Sequence, residues 1–402
     1  MPVRFARTED HSAIQDILGY CFPDMLPSIL EEREKEKTQP KQETEESRRE
    51  REESLKWVLV KEEADGRIGQ HVQIVPLTIH LDGETHAMAG IGAVASLPEY
   101  RYGGGVMELL RQSLQVMHER NIAFSELAPF SFAFYRKCGY EWGFRWHKLS
   151  IPMKELEAFK GDKGNFVRLT EAHREEARAI RNLHGTRFNG AEHLETDKMK
   201  DFPPKDRLAY GVVGGDGLLA GYAVFRIRDH AIECRDFFYK DHQAKRQLLH
   251  FFHRHNSQAD KLQLVVPDSD TTQHLLGDQY LDVKAEAGMM VRVVDVPAAL
   301  AAMKIPVDIS GNFVLQVADE AAPWNQGNWR IEAVDGRLKA ERVEDREPDC
   351  VLPIQRLSQL VYGFLDGADV IESDLCEWRT EEAKPLFRKV FRKRPTAQWI
   401  SF

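Results

Sequence analysis

Apolar and polar positions along the chain change period repeatedly, and each change marks an element. Residues 3–7, VRFAR, alternate as a short strand does, and from about Asp10 to Cys21 apolar positions recur every three or four residues, as on a helix. Residues 31–54, EEREKEKTQPKQETEESRREREES, mix both charge signs with almost no apolar side chain. That pattern predicts a solvated helix, or a helix pair interrupted at Pro40, able to border a substrate entrance. Three strand-like runs come next, WVLVKEE, RIGQHVQIVPLTIHL and THAMAGIGAVASL, separated by Asp65-Gly66 and Asp82-Gly83. Turn dipeptides between such runs predict an antiparallel meander. The last run breaks at Pro98 and passes through EYRYGGG into the helical pattern VMELLRQSLQVMHER. A strand at IAFSEL, a helical FAFYRKCGY and a strand near RWHKLSI complete a mixed α/β domain over residues 1–150.

The alternation restarts in residues 151–290. NFVRLTEAHREEARAIRNLHGTR reads as strand and helix, and LAYGVVGGDGLLAGYAVFRIRD as a hairpin turning through Gly214, Gly215, Asp216 and Gly217. AIECRDFFYK resembles the strand before the first glycine turn, yet KDHQAKRQLLHFF comes after it with no glycine. A second copy of the first domain would therefore have lost its cradle. Residues 291–402 give an α+β pattern of hairpins, one turning at Asp335-Gly336, with the helical IQRLSQLVYGFLDG. Free tails are usually polar, whereas this one ends Trp399-Ile400-Ser401-Phe402, which predicts a docked terminus.

Composition narrows the function. A length of 402 residues with 42% hydrophobic content fits two or three domains with real cores. The formal charge of -9 disfavours nucleic acid as a partner and favours cationic substrates. Five cysteines, Cys21, Cys138, Cys234, Cys350 and Cys376, are scattered without a CxxC pair, which fits a reducing cytoplasm. There is no apolar leader and no uncharged run long enough for a bilayer, so neither export nor a membrane partner is expected.

The glycine turn carries the chemistry. Glycines let backbone N–H groups approach an anion, and a helix beginning there adds positive partial charge, so a pyrophosphate fits. A dinucleotide fingerprint would come after a buried parallel strand, and a P-loop would need Gly-Lys-Ser/Thr; neither matches. The pattern present is R-x-x-G-x-V, Arg101, Gly104 and Val106, after a meander. This resembles the GCN5-related N-acetyltransferase (GNAT) superfamily, whose corresponding segment binds the acetyl-CoA pyrophosphate. About 30 residues on, FAFYRKCGYEWG is similar to the GNAT segment that carries the acid protonating the departing CoA thiolate, and Tyr135 is the matching residue. A phenol titrates near 10, so Tyr135 stays protonated at neutral pH and can donate to the thiolate as it forms. Tyr140, in the CGYE turn, is read as packing on the sheet.

Over the whole length, a GNAT domain with intact motifs, one with an eroded loop and a sterol-carrier-protein-like domain together resemble the enhanced intracellular survival (Eis) family. The resemblance implies tandem GNAT folds, with mixed and largely antiparallel sheets, then an α+β domain that supplies a C-terminal α-carboxylate, here that of Phe402, as general base. A carboxylate beside an ammonium attracts it and can take its proton. By the same resemblance Val94, Ala95 and Ser96 face pantetheine, Tyr102, Gly103, Gly104, Gly105, Val106 and Met107 cradle pyrophosphate beside Arg101, and Phe130 and Ser131 lie along the pantetheine arm. Tyr102 and Gly103 stand where relatives often carry arginine, which puts the 3′-phosphate contacts in doubt. Asp24 and Glu126 are candidates for holding a cationic substrate, each with a structural carboxylate as the alternative.

No metal is expected. His250, His253 and His255 lie on different helix faces, and VPDSDTTQH lacks the later glycine and glutamate of a calcium loop. The expected activity is acetyl transfer to an aminoglycoside, polyamine or lysine-like amine by a cytoplasmic homo-oligomer, a hexamer by family resemblance. A different class is also open: a CoA-sensing or lipid-binding scaffold protein in which LSQLVYGFLDG lines a cavity.

Overall fold

A computed structural model describes residues 3–38, 44–195, 199, 201–278 and 280–400 of the chain. The first segment runs β1 (Val3–Phe5), α1 (His11–Cys21), α2 (Leu26–Thr38), α3 (Glu45–Leu55), β2 (Val58–Glu62), β3 (Ile68–Leu81), β4 (Glu84–Ser96), α4 (Gly105–Glu119), β5 (Phe124–Leu127), α5 (Phe132–Arg136), β6 (Glu141–Trp142) and β7 (Arg145–Pro152). The second runs β8 (Asn165–Arg168), α6 (Arg174–Gly185), β9 (Leu208–Val213), β10 (Leu219–Arg228), β11 (Ala231–Tyr239), α7 (His242–His253), β12 (Lys261–Pro267), β13 (Asp282–Ala287) and β14 (Met290–Val293). The third runs α8 (Val296–Ala302), β15 (Gly311–Ala318), β16 (Gly327–Val334), β17 (Arg337–Arg342), β18 (Cys350–Pro353), α9 (Ile354–Tyr362), α10 (Gly367–Glu372), β19 (Glu377–Trp378) and α11 (Lys384–Val390).

The meander forms as its turn signals predict. Asp82 and Gly83 both take positive φ, 49° and 78°, the conformation a two-residue hairpin needs, and β3 and β4 pair antiparallel from that turn. Two seven-stranded sheets result, ordered β1-β2-β3-β4-β5-β14-β6 and β13-β7-β12-β11-β10-β9-β8, together with a five-stranded sheet ordered β17-β16-β15-β18-β19. In the first sheet β4 runs parallel to β5, and in the second β11 runs parallel to β12, so the two share one plan.

The two sheets also exchange a strand. β7, at the end of the first segment, pairs with β12 and β13 in the second sheet, while β14 returns to pair with β5 and β6 in the first. The cuts read from sequence near residues 150 and 290 thus fall at strands that belong to the neighbouring sheet. All four residues of β14 are buried, as expected of a central strand carrying a continuous apolar run. One is charged: Arg292 is wholly buried and its Nη2 donates to both carboxylate oxygens of Asp319, each at 2.8 Å, joining the first sheet to the third domain.

In the third domain, Leu357, Leu360, Val361 and Tyr362 of α9 are buried in one core with Phe124, Val291 and Val293 of the first sheet. This helix is core. The chain end is docked as well, with Trp399 and Ile400 packed on the core of the second domain. Among the described residues no helix is long and apolar enough to cross a membrane.

Candidate active site

β4 and β5 pair only through residues 88–91 and 124–127; beyond that point no pairing joins them. Just past the last pair, the register of β4 against β3 shifts, so that Ala93 and Val94 stand opposite Val72 alone. Ala93 has φ 48°, unusual for a residue with a side chain. Such a bulge bends the strand and re-aims its remaining residues. The ring of His71 secures the bend: it is buried, its Nδ1 lies 2.9 Å from the Ala93 carbonyl oxygen, and burial lowers its pKa. A neutral ring with its proton on Nδ1 donates to that carbonyl. Of the residues expected to face pantetheine, Val94 lies in the bulge and Ala95 and Ser96 just after it, all with their β5-side edge unpaired.

The glycine turn lies beyond them. A single 3-10 turn at Pro98–Tyr100 leads to Arg101, whose Nε donates to the Ser96 carbonyl at 3.1 Å. Tyr102 has φ 65° and Gly104 φ 80°, and α4 starts at Gly105 with no side-chain cap. The first amides of a 15-residue helix are therefore left for a ligand, with the dipole behind them. Gln70 packs beneath. Its Nε2 donates to Ser96 Oγ at 3.1 Å and to the Tyr100 carbonyl at 2.8 Å, tying the end of β4 to the turn. A Cβ on Gly105 would lie 1.8 Å from Gln70 Oε1, whereas one on Gly104 meets nothing within 4 Å. Gly105→Ala is therefore expected to expel Gln70 and weaken binding of acetyl-CoA, the ligand expected from the sequence, by about tenfold, roughly 1.4 kcal/mol. Gly104→Ala faces only the left-handed backbone cost, about 1–2 kcal/mol of stability. Calorimetric titration of both variants checks the contrast. Val106 and Met107 pack on the core of the first domain, and Lys61 pairs with Glu108 on α4.

α5 presents Tyr135. Ser131 caps this helix, its Oγ accepting from the Phe134 amide at 3.4 Å, and exposed Phe130 packs its ring 5.1 Å from that of Tyr135. The Tyr135 ring is buried and burial pushes its pKa up, so the phenol holds its proton throughout the neutral range. Tyr140 is committed elsewhere: its hydroxyl donates to Ser125 Oγ at 2.7 Å, and Ser125 in turn donates to the Ala89 carbonyl at 2.7 Å. Burial pushes the Cys138 thiol up to about 11, which leaves little thiolate at pH 7.

The two acidic candidates separate. Asp24 is exposed in the one-turn helix Pro23–Met25, open to a cation. Glu126 is wholly buried, and burial together with nearby Glu192 raises its pKa well above the usual carboxyl range. Its neighbours include Tyr362 of the third domain. Phe402 lies outside the described residues.

A cavity of about 430 Å³ opens where β5 ends, between Ala128, Pro129 and Phe132 on one side and Trp146, Asp236, Glu286 and Met289 on the other. Gln398, Trp399 and Ile400 form part of its wall. A larger cleft, about 1160 Å³, lies between β3 and α3 and is lined by Glu45, Glu46, Glu50, Glu53 and Glu195. The charged segment thus borders a cleft beside Pro76, Leu77 and Thr78, several residues along the sheet from the bulge.

The second domain shows how its own cradle is closed. Asp241 caps α7, with Oδ1 accepting from the Ala244 amide at 2.8 Å, so a carboxylate of the chain occupies the anion position. Beside it Lys245 and Asp270 form a buried pair at 2.9 Å. Among the described residues no group of three or more His, Cys, Asp or Glu is gathered to hold a metal.

Comparison with known proteins matches three segments of the chain. Residues 2–143 match an acetyltransferase (GNAT) domain, residues 191–293 a second acetyltransferase (GNAT) domain, and residues 296–396 a sterol carrier protein domain. A probable N-acyltransferase of unknown function from Enterococcus faecalis V583 superposes with a TM-score of 0.84 at 22% identity, over 100% of this chain and 99% of its own. A GCN5-related N-acetyltransferase from Anabaena variabilis ATCC 29413 gives 0.81 at 20% identity, with 100% of both chains covered. Eis1 from Mycobacterium abscessus gives 0.71 at 18% identity, over 86% of this chain and 90% of its own. No curated protein matches the sequence.

Proposed function

We propose a mechanism for a chain that belongs to the GNAT acetyltransferases and has the Eis arrangement of two such domains and a sterol carrier domain: direct transfer of acetyl from acetyl-CoA to a primary amine in a ternary complex. The observation that carries it is the uncapped N-terminus of α4 at the end of the bulged stretch of β4 whose β5-side edge is unpaired. Arg101 and the turn from Tyr102 to Met107 hold the pyrophosphate there, Val94, Ala95 and Ser96 take the pantetheine amides, and Phe130 and Ser131 flank its arm. The amine nitrogen bonds to the acetyl carbon as the C–S bond breaks. Its proton passes to the α-carboxylate of Phe402, and the CoA sulfur receives the proton of Tyr135.

The acceptor class we propose is a cation-bearing amine: a polyamine, an aminoglycoside or a lysine-like side chain. The net charge of -9 supports it. Thiol release measured with acetyl-CoA and a panel of those amines tests the reading, and a panel with no turnover overturns it. Tyr135→Phe is expected to lower kcat about 100-fold with acetyl-CoA affinity unchanged, as loss of a general acid does. Single-turnover measurement locates the loss in the chemical step, and an unchanged rate removes Tyr135 from the mechanism. We propose a cytoplasmic hexamer, which sedimentation of the purified protein checks for assembly.

A further inference from the structure

We infer that Glu192 is a positioning residue for the reaction: it fixes the terminal segment of the chain, whose residues Gln398, Trp399 and Ile400 wall the cavity at the end of β5. The inference rests on the terminal-base reading and concerns how that base is held.

The segment around Glu192 serves as a bracket between domains. Along the first sheet, the His80 amide donates to the Ala191 carbonyl at 2.7 Å, the Gly190 amide to the His80 carbonyl at 2.8 Å and the His193 amide to the Thr78 carbonyl at 2.8 Å. Its other edge receives the end of the chain. The Asn189 amide donates to the Pro395 carbonyl at 2.9 Å, the Ala397 amide to the Asn189 carbonyl at 3.3 Å, and the Trp399 amide to both carboxylate oxygens of Glu192, each at 3.0 Å. Residues 395, 397 and 399 thus present one edge of an extended strand, with period 2. At Trp399 the hold is a charged side chain where a backbone carbonyl would have served.

Glu192 is buried and its charge is matched by Arg181, whose Nη2 donates to Oε1 at 2.8 Å. The Trp399 ring is held among aromatic neighbours, 5.2 Å from Phe238 and 5.5 Å from Phe188. That packing fixes the ring. The main chain at Trp399 is held through its amide by Glu192, and beyond it the Ile400 carbonyl accepts from Gln398 Nε2. A displacement of about 1 Å at a reacting group can cost about 100-fold in rate.

The test uses the full chain. Glu192→Gln is expected to speed hydrogen exchange at the Trp399 amide by at least about tenfold and to lower kcat about 10- to 100-fold, with the KM for acetyl-CoA unchanged. In a chain extended beyond Phe402, the same substitution is expected to cost no further kcat, because residues acting as a unit are non-additive. Glu192→Asp keeps the charge but draws it back by one methylene; it is expected to give an intermediate loss and supplies the reading should the Gln variant fail to fold. An unchanged kcat in these variants, a loss confined to KM, or a full further loss in the extended chain would overturn the role of Glu192. A fully active extended chain would overturn the terminal base itself and this role with it.

Discussion

Extending the chain by a few polar residues after Phe402 is expected to lower kcat by about 10²–10⁴, the usual worth of a general base, with acetyl-CoA affinity unchanged. The extension converts the α-carboxylate of Phe402 into a neutral amide and moves the nearest free carboxylate several residues away. Nothing in the cofactor cradle is touched, since Gln70, Ser96 and Tyr100 form their own hydrogen-bonded unit in the first domain. Trp399 stays anchored by Glu192 in either chain. Phe402→Ala separates carboxylate from side chain: it keeps the base and removes the ring, so it is expected to lose much less. Steady-state rates with isothermal titration of acetyl-CoA check both variants. A fully active extended chain would end the proposal of a terminal base, and inactivity accompanied by lost acetyl-CoA binding would move the defect to the cradle.

The parts legible in the sequence share one property: local backbone conformation decides them. The Asp82-Gly83 turn, the meander it folds and the glycine turn before α4 depend on residues that tolerate positive φ and on runs of alternating polarity, all adjacent in sequence. The same holds for Tyr135 on α5 and for the closed cradle of the second domain, though sequence alone does not single out Asp241 as the group that fills it.

Strand exchange is not legible in this way. Alternation in RWHKLSI and the apolar run before residue 294 identify strands, but period 2 reports which face is buried and carries no address for the edge a strand joins. Gln70 and His71 escape sequence reasoning for a related reason. Within an otherwise apolar strand they read as ordinary alternation, and their roles exist only once β3 lies beside the bulge and the glycine turn. The burial of Glu126 is likewise invisible in the sequence: both readings of it, cation holder and structural carboxylate, fit a strand residue, and the proximity of Tyr362 is set only when the third domain packs on β5.

Arg292→Leu is expected to destabilise the protein by about 3–5 kcal/mol, the usual cost of removing one partner from a buried ion pair. Asp319, itself buried, would keep the Ala322 amide at 3.1 Å and Asn325 Nδ2 at 3.0 Å but lose both hydrogen bonds from the guanidinium. An uncompensated charge would then stand between the first sheet and the third domain. Arg292 Nε and Nη1 have no partner among the described residues, so the intact pair is itself incompletely satisfied. Replacing both charges is therefore expected to cost much less than replacing one, and Arg292→Leu combined with Asp319→Asn should regain most of the lost stability. Urea denaturation of the three variants measures the cycle; a single variant with the wild-type midpoint would show that the pair contributes nothing. The effect should also reach the helix that carries Tyr135, because a Cβ on Gly139, just after α5, would lie 1.8 Å from Arg292 Nη1. The guanidinium thus packs directly against the turn after Tyr135, and its loss leaves that turn unsupported. Arg292→Leu should accordingly lower kcat even in the fraction that remains folded, while the pyrophosphate cradle, on the other side of β5, keeps its acetyl-CoA affinity.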